Sequence, residues 1–148
     1  MADTYTEAYY HFVWATKGRV VYLDADLETL LFDYIGRKCA ELGARVFAIN
    51  AVADHVHLAC SAPTRLSIAI FTKHVKGASV HYINTSAVTQ DAYIAWQPGY
   101  GLLTFTRRDL PRVVDYVKYQ KQQQPSGARS WPALNARTQI HSRNHAAF

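Results

Sequence analysis

Near the middle of the chain stands the stretch Ala53-Asp54-His55-Val56-His57-Leu58-Ala59-Cys60-Ser61. Because successive side chains of a β-strand point to opposite faces, Val56, Leu58 and Cys60 are predicted to pack together on one face. Both imidazoles then project from the opposite face, side by side, where they could supply two of the ligands of a metal site. The alternative is that one histidine is a hydrogen-bonded core residue while the other faces solvent.

Length and composition indicate a single globular domain. The chain has 148 residues, of which 49% are hydrophobic and 18% are charged, enough to bury a core without disulfides. No apolar run approaches the roughly 20 residues of a membrane-spanning helix, and residues 1–4 do not start a secretory leader. Two cysteines, Cys39 and Cys60, are too few for a disulfide framework. We therefore expect a protein of the reducing cytoplasm.

The charge balance favours a nucleic-acid partner. Lys and Arg number 16 against 11 Asp and Glu, which gives a formal net charge of +5, and 10 residues are tyrosine. Cationic side chains neutralise phosphates, and aromatic rings stack on unpaired bases. The same surplus of charge also serves solubility, so composition alone does not identify the partner.

Hydrophobic periodicity predicts alternating strands and helices. We expect strands at 5–16, 45–52, 55–61 and 99–106, and helices at 27–42, 67–83 and 109–124, the last capped by Asp109. This order predicts an α+β fold of the ferredoxin-like or RRM-like type, an antiparallel sheet with helices on one face plus a C-terminal helix. The first and third strands would be central, so His11 would neighbour the paired imidazoles. The favoured interpretation of His11 is nevertheless a strand histidine that is merely hydrogen-bonded.

The C-terminal segment is predicted to lie outside this domain. Residues 125–148 show no periodicity and contain Arg129, Arg137 and Arg143 with few aliphatic side chains. We expect residues 1–124 to form the folded domain. The remaining residues are predicted to be a basic tail that orders only on binding DNA or a partner.

The last predicted helix carries two tyrosines. Apolar residues within 110–117 recur at spacings of three and four, and this stripe must face the sheet. At about 100° per residue, Tyr116 and Gln120 lie together on the flank of the stripe, whereas Tyr119 points nearly opposite to it. Tyr116 with Gln120 is therefore favoured over the competing pair of Tyr119 with Gln123. The alternative for Tyr116 is a half-buried ring at the edge of the core.

Three motifs, in this order, resemble those of a known family. They are His55-Val56-His57, Trp96-Gln97-Pro98-Gly99-Tyr100-Gly101 and Val113-x-x-Tyr116-Val117-x-x-Gln120, and the start Tyr10-His11-Phe12-Val13-Trp14-Ala15-Thr16-Lys17 is similar too. Over about residues 9–124 the chain resembles the single-tyrosine HUH transposases of hairpin-binding insertion sequences, a group that includes palindrome-associated tyrosine transposases. The resemblance implies a nuclease and strand transferase of the prokaryotic nucleoid that acts on single-stranded DNA with hairpins. It also implies a homodimer in which the tyrosine helix of one subunit can complete the histidine site of the other.

The same resemblance implies a role for each site residue. Tyr116 is the catalytic nucleophile, and His55, His57 and Gln120 are the metal ligands. Because a phenol has a pKa of about 10, it needs help to attack, and a divalent cation would polarise the scissile phosphate and stabilise the leaving 3′ oxygen. Attack leaves a 5′-phosphotyrosine, which the 3′-OH of a second DNA end reverses. A ligand set without thiolates suits an exchangeable Mg²⁺ or Mn²⁺.

Seven cationic side chains are candidates for contacts to DNA phosphates. Two of them share the second helix with His74, and this helix could lie along a folded hairpin that is read by its shape and unpaired bases. Two others directly precede the tyrosine helix. The set is Lys17, Arg19, Lys73, Lys76, Arg107, Arg108 and Arg112.

Two other functions fit parts of the sequence. An RRM-like sheet could bind single-stranded nucleic acid without catalysis, but stacking rings would then be expected where His55 and His57 stand. A metal-dependent nuclease could instead activate water, with Tyr116 only hydrogen-bonding the substrate.

Overall fold

The elements of the computed structural model follow the order predicted from the sequence. The structure describes residues 3–19, 24–52, 54–61, 63–86 and 93–123, so the predicted tail at 125–148 lies outside the described residues. The elements are β1 (Tyr9–Ala15), α1 (Ala25–Glu41), β2 (Val46–Val52), β3 (His55–Ser61), α2 (Ile68–Thr85), β4 (Gly101–Phe105), α3 (Leu110–Lys118) and α4 (Gln120–Gln123). Short 3₁₀ turns cover Lys17–Arg19 and Arg107–Asp109.

The four strands form one antiparallel sheet in the order β2-β3-β1-β4. The first and third strands in sequence are thus central, which confirms the α+β, ferredoxin-like prediction. In the central pair, Val13 lies opposite His57 and Ala15 lies opposite His55. β2 and β3 form a hairpin, and a register shift between Val46 and Ala48 marks a bulge at the start of β2.

Helices cover both faces of this sheet. α1 and α2 pack on the face that carries Phe12, Val56 and Leu58, and these residues form the larger core cluster. α3 packs on the opposite face, where Val113 and Val117 belong to a second, smaller cluster with residues of the sheet. The alternation in β3 therefore separates the two faces as predicted, with its aliphatic side chains under α1 and α2.

Local signals explain how the first two helices begin and end. The Asp24 carboxylate accepts a hydrogen bond from the backbone N–H of Leu27 at 2.9 Å and caps α1, and Ser67 caps α2 in the same way. Gly43 follows α1 with φ of 88°, a conformation that favours glycine. Among the described residues, no helix combines the length and the apolar character that crossing a membrane requires.

The prediction for the last helix was wrong in two respects. Asp109 makes no capping hydrogen bond from its side chain, because the preceding 3₁₀ turn already holds its backbone in the right-handed region. The helix is also not continuous over 109–124, since the backbone departs from helical geometry at Tyr119, with φ of −99° and ψ of 17°. The first and last strands in the chain are shorter than predicted, since β1 covers Tyr9–Ala15 and β4 covers Gly101–Phe105.

The two cysteines provide a test of the core beneath α1. Cys39 and Cys60 are fully buried free thiols in the larger cluster. Burial raises the pKa of Cys39 to about 12 and also raises the pKa of Cys60. Because the thiolate is the reactive form, we expect Ellman's reagent at pH 8 to modify neither thiol in the folded protein and both after unfolding in urea. Modification of the folded protein at the rate of glutathione would contradict this packing.

Candidate active site

The two histidines of β3 lie on the sheet face that α3 covers. Their ring centroids are 5.0 Å apart, and both side chains are fully buried. The alternative prediction, in which one of the pair faces solvent, is therefore wrong. Strand alternation places both imidazoles on one face, the face on which α3 packs.

A hydrogen bond orients each of these two rings. Nδ1 of His55 lies 2.6 Å from a carboxylate oxygen of Asp54, and since an ionised carboxylate only accepts, this nitrogen carries the proton. Nδ1 of His57 lies 3.0 Å from Nε2 of His11. With Nδ1 engaged in both rings, Nε2 is the nitrogen of each that suits a metal ion.

The environment of His57 keeps its imidazole neutral. Burial lowers the pKa of His57 well below its usual range, and the neighbouring rings of His11 and His55 lower it further. A histidine must be unprotonated to bind a metal. The His57 ring is thus held in the form that a metal ion requires.

Of the two tyrosines near the end of α3, only one faces the histidines. The ring centroid of Tyr116 lies 5.8 Å from that of His11 and 5.9 Å from that of His57, both in edge-on arrangements. Tyr119, by contrast, is 50% exposed. The helix-face prediction separates the two tyrosines in the same way.

Gln120 completes the group of buried polar side chains. It is the first residue of α4 and is fully buried, and its Nε2 donates to the backbone carbonyl of Tyr116 at 3.0 Å. Its Oε1 has no hydrogen-bond partner within the described part of the chain. A buried amide oxygen of this kind normally has a partner, and such an oxygen is a suitable ligand for Mg²⁺ or Mn²⁺.

The donor set available to a metal ion is therefore mixed. The described ranges contain no group of three or more His, Cys, Asp or Glu side chains that could hold a metal ion. A third protein ligand beside His55 and His57 would have to be of another residue type, and the Gln120 oxygen is a candidate. Two nitrogens and one neutral oxygen leave room for water or phosphate oxygens on a hard cation.

Asn50, which the sequence reasoning missed, holds the end of α3. Its Nδ2 donates to the carbonyls of Val117 and Lys118, both at 3.0 Å, and its Oδ1 accepts from the N–H of Ala51. These carbonyls belong to the last turn of α3, which stops at Lys118, where the terminal carbonyls of a helix need partners from outside it. Asn50 is also the β2 partner of His57, so one side chain links the histidine strand to the helix end that precedes Gln120.

An ion pair is the second contact that holds α4 in place. Nζ of Lys121 lies 2.5 Å from a carboxylate oxygen of Glu28, a buried residue in the first turn of α1. This ion pair joins α4 to α1 next to Gln120. Asn50 and Glu28 thus anchor the two sides of the break at Tyr119.

The missed residues left weak signals in the sequence. Asn50 is the lone polar residue in an otherwise apolar strand, and a buried strand rarely keeps an amide without a partner. Asp54 directly precedes the His-x-His motif, where a carboxylate can orient the first ring. His11 was placed near the pair, but its bond to His57 depends on the strand register.

The residues predicted to contact DNA differ in their exposure and in their contacts within the protein. Nζ of Lys76 donates to the carbonyls of Gln97 at 2.9 Å and Gly99 at 2.6 Å and supports that loop, and burial lowers its pKa. Arg107 pairs with Glu7 at 3.1 Å. The side chain of Arg19 lies outside the described part of the structure. The remaining candidates are exposed, namely Lys17, Lys73, Arg108 and Arg112.

Comparisons with known proteins agree on one family. The model of the IS200-like transposases matches residues 4–120. ISDra2 transposase TnpA of Deinococcus radiodurans is 28% identical over 115 residues, which span 75% of this chain and 82% of that protein.

Two solved structures share the fold. One is the crystal structure of a Deinococcus radiodurans R1 protein assigned as a transposase, with a TM-score of 0.62 and 26% identity over 81% of this chain and 95% of that chain. The other is a REP-associated tyrosine transposase bound to a REP hairpin, with a TM-score of 0.60 and 15% identity over 83% and 72% of the two chains. At that identity the second structure indicates likeness of fold alone.

The role of Asn50 can be separated from general stability by a second asparagine. Asn84 on α2 also bonds two backbone groups, the carbonyl and N–H of Ile94. We expect Asn50→Ala and Asn84→Ala each to lower the free energy of unfolding in urea by about 1–3 kcal/mol. Only Asn50→Ala should weaken Mn²⁺ binding, measured from the EPR signal of free Mn²⁺, by about 10-fold or more. Equal Mn²⁺ affinities in the two variants would contradict this role.

Proposed function

Because this chain belongs to the IS200-like transposases, we propose that it cleaves and rejoins single-stranded DNA at hairpin ends through a covalent bond to Tyr116. The observation that carries the proposal is the edge-on packing of the Tyr116 ring against His11 and His57. A phenol in that position can reach a phosphate held at the paired imidazoles. Family membership supports DNA cleavage, and the geometry supports this choice of nucleophile.

The proposed cofactor is a divalent cation, Mg²⁺ or Mn²⁺. His55 and His57 would bind it through Nε2 and Gln120 through Oε1, the buried oxygen that has no partner among the described residues. When bound, such an ion polarises the scissile phosphate and stabilises the negative charge that grows on the leaving oxygen. Asp54 and His11 would hold the two rings in position, since each engages the Nδ1 of one ligand.

Tyr116 performs the covalent step in this proposal. Its Oη loses a proton to solvent and attacks phosphorus in line, and the bond from phosphorus to the 3′ oxygen breaks. The leaving oxygen takes up a proton and becomes a free 3′-OH, while the 5′ side stays on the tyrosine as a phosphodiester. Attack by the 3′-OH of a second DNA end reverses the step and joins the strands without an external energy source.

We propose that the site is formed within one chain. The Tyr116 ring lies beside the rings of His11 and His57 of its own chain, and Gln120 bonds to the Tyr116 carbonyl. The Asn50 and Glu28 contacts hold the segment that carries both residues. A homodimer remains part of the proposal on the strength of the resemblance. Exchange of the tyrosine helix between subunits would require both contacts to break and re-form.

The proposed partner is single-stranded DNA that carries a hairpin, at the prokaryotic nucleoid. The REP-associated relative, which binds a REP hairpin, supports this choice together with the positive net charge of this chain. Two exposed cations stand near Tyr116 in the chain, Arg108 in the turn before α3 and Arg112 on α3 itself. They are proposed to bind phosphates of the cut strand, while Lys73 and Lys17 are proposed to contact the hairpin.

The nucleophile can be tested with a pair of matched variants. Labelled hairpin DNA with single-stranded flanks is incubated with Mn²⁺, and denaturing gels then detect a protein-DNA adduct. We expect Tyr116→Phe to abolish the adduct, since only the attacking oxygen is lost, and Tyr119→Phe to retain it.

Three results would contradict the proposal. Loss of the adduct in Tyr119→Phe would assign the attack to the other tyrosine. Cleavage without any adduct would indicate a hydrolase that uses water, and binding without cleavage would indicate a non-catalytic binding protein.

A further inference from the structure

Three aromatic rings lie in a row across the sheet face that carries the histidines. The ring of Tyr9 on β1 lies 5.7 Å from that of Phe47 on β2 and 5.6 Å from that of Phe105 on β4, measured between centroids. β3 runs between β2 and β1 but presents only the small Ala59 and Ser61 there. The rings of Tyr9 and Phe47 therefore contact each other across β3. Phe105 is buried, whereas Tyr9 and Phe47 are only partly covered.

A surface groove opens onto the uncovered part of this row. It has a volume of about 570 Å³, and its walls include Tyr5, Arg45, Arg107 and Leu110. Tyr5 is 81% exposed. Large apolar rings that are left accessible to solvent in a groove are typical of a binding surface.

Two guanidinium groups border the groove. The guanidinium of Arg45 lies over the ring of Phe47, 5.3 Å from its centroid. Arg107 donates through Nη1 to Glu7, but its side chain is 73% exposed and a guanidinium has five N–H donors. Two cations against one carboxylate leave the groove with positive charge.

The groove and the candidate active site lie along the same helix. Tyr9 precedes His11 by two residues on β1, a distance of about 7 Å in a strand. Leu110, in the wall of the groove, precedes Tyr116 by six residues on α3, about 9 Å along a helix. A DNA strand held at Tyr116 can therefore follow the flank of α3 into the groove.

We propose that this groove binds the unpaired DNA strand next to the cleaved phosphate, which deepens the proposed function and rests on it. An unpaired base packs against the accessible parts of the Tyr9 and Phe47 rings, and Arg45 and Arg107 bind the flanking phosphates. Aromatic faces interleaved with cations are the combination that binds single strands with little sequence preference. Arg45 and Phe47 were not among the contacts predicted from the sequence.

The chain offers a matched control for Arg45. Arg37 on α1 also lies over aromatic rings, with its guanidinium 5.7 Å from the centroids of both Tyr34 and Tyr82. It stands on the helix side of the sheet, away from the groove. Arg37→Ala and Arg45→Ala therefore remove the same charge and the same type of ring contact.

Fluorescence anisotropy of labelled oligothymidine, measured without metal over a series of salt concentrations, tests the groove. We expect Arg45→Ala to weaken binding several-fold and to reduce the slope of log K against log salt by about 0.7. Phe47→Leu, which keeps an apolar side chain, should weaken binding on the order of 10-fold with an unchanged slope. Arg37→Ala should bind like the unmodified chain.

Failure of this inference can be distinguished from failure of the proposed function. If the hairpin adduct forms but Arg45→Ala and Phe47→Leu bind oligothymidine like Arg37→Ala, the groove is not the binding surface although the function stands. If Arg37→Ala and Arg45→Ala weaken oligothymidine binding equally, the proposal for the groove is also overturned, since the loss of net charge alone would explain the weaker binding. If no adduct forms but binding depends on Arg45 and Phe47, the groove is supported and the function fails.

Discussion

The antiparallel pairing of β1 with β3 is the constraint on which the candidate active site depends. It sets Val13 opposite His57 and Ala59 opposite His11, which brings the two rings diagonally together and allows the bond between His57 Nδ1 and His11 Nε2. Because side chains alternate along a strand, a slip of one residue would turn both β3 imidazoles to the other face of the sheet. The core beneath α1 and α2 prevents that slip, since it needs Val56 and Leu58 where they are.

Burial keeps the His57 imidazole unprotonated, and it also carries a cost in folding free energy. A histidine removed from water resists protonation, so the ring of His57 stays neutral, which is the form that metal binding requires. Its polar atoms then need partners inside the protein. Asp54 and His11 supply partners on the sheet. α3 covers the rings and contributes the phenol, and the amide of Asn50 satisfies the carbonyls at its end. The break at Tyr119 begins a new helical turn at Gln120, whose buried oxygen faces no donor among the described residues.

Patterns that repeat along the chain could be predicted, and contacts between distant segments could not. Alternation in β3 predicted that His55 and His57 share a face, and helical periodicity separated Tyr116 from Tyr119. The break at Tyr119 was missed because the side chain that bonds to the carbonyls there is Asn50, 67 residues away from Val117 in the chain. Asp109 has the composition of a helix cap, but the 3₁₀ turn before it changes the backbone that a cap requires. Arg45 and Phe47 belong to a groove that exists only once β2, β1 and the segment before α3 have come together.

The central claim is that one protomer brings a phenol and a metal ion, held by paired imidazoles, to the same phosphate. Anomalous diffraction from a crystal soaked in Mn²⁺ tests it most directly. The account predicts one strong peak about 2.1 Å from Nε2 of His55, Nε2 of His57 and Oε1 of Gln120 of the same chain, with the Tyr116 hydroxyl directed toward it. A peak at other residues, or a Tyr116 ring turned away from the histidine pair of its own chain, would contradict it.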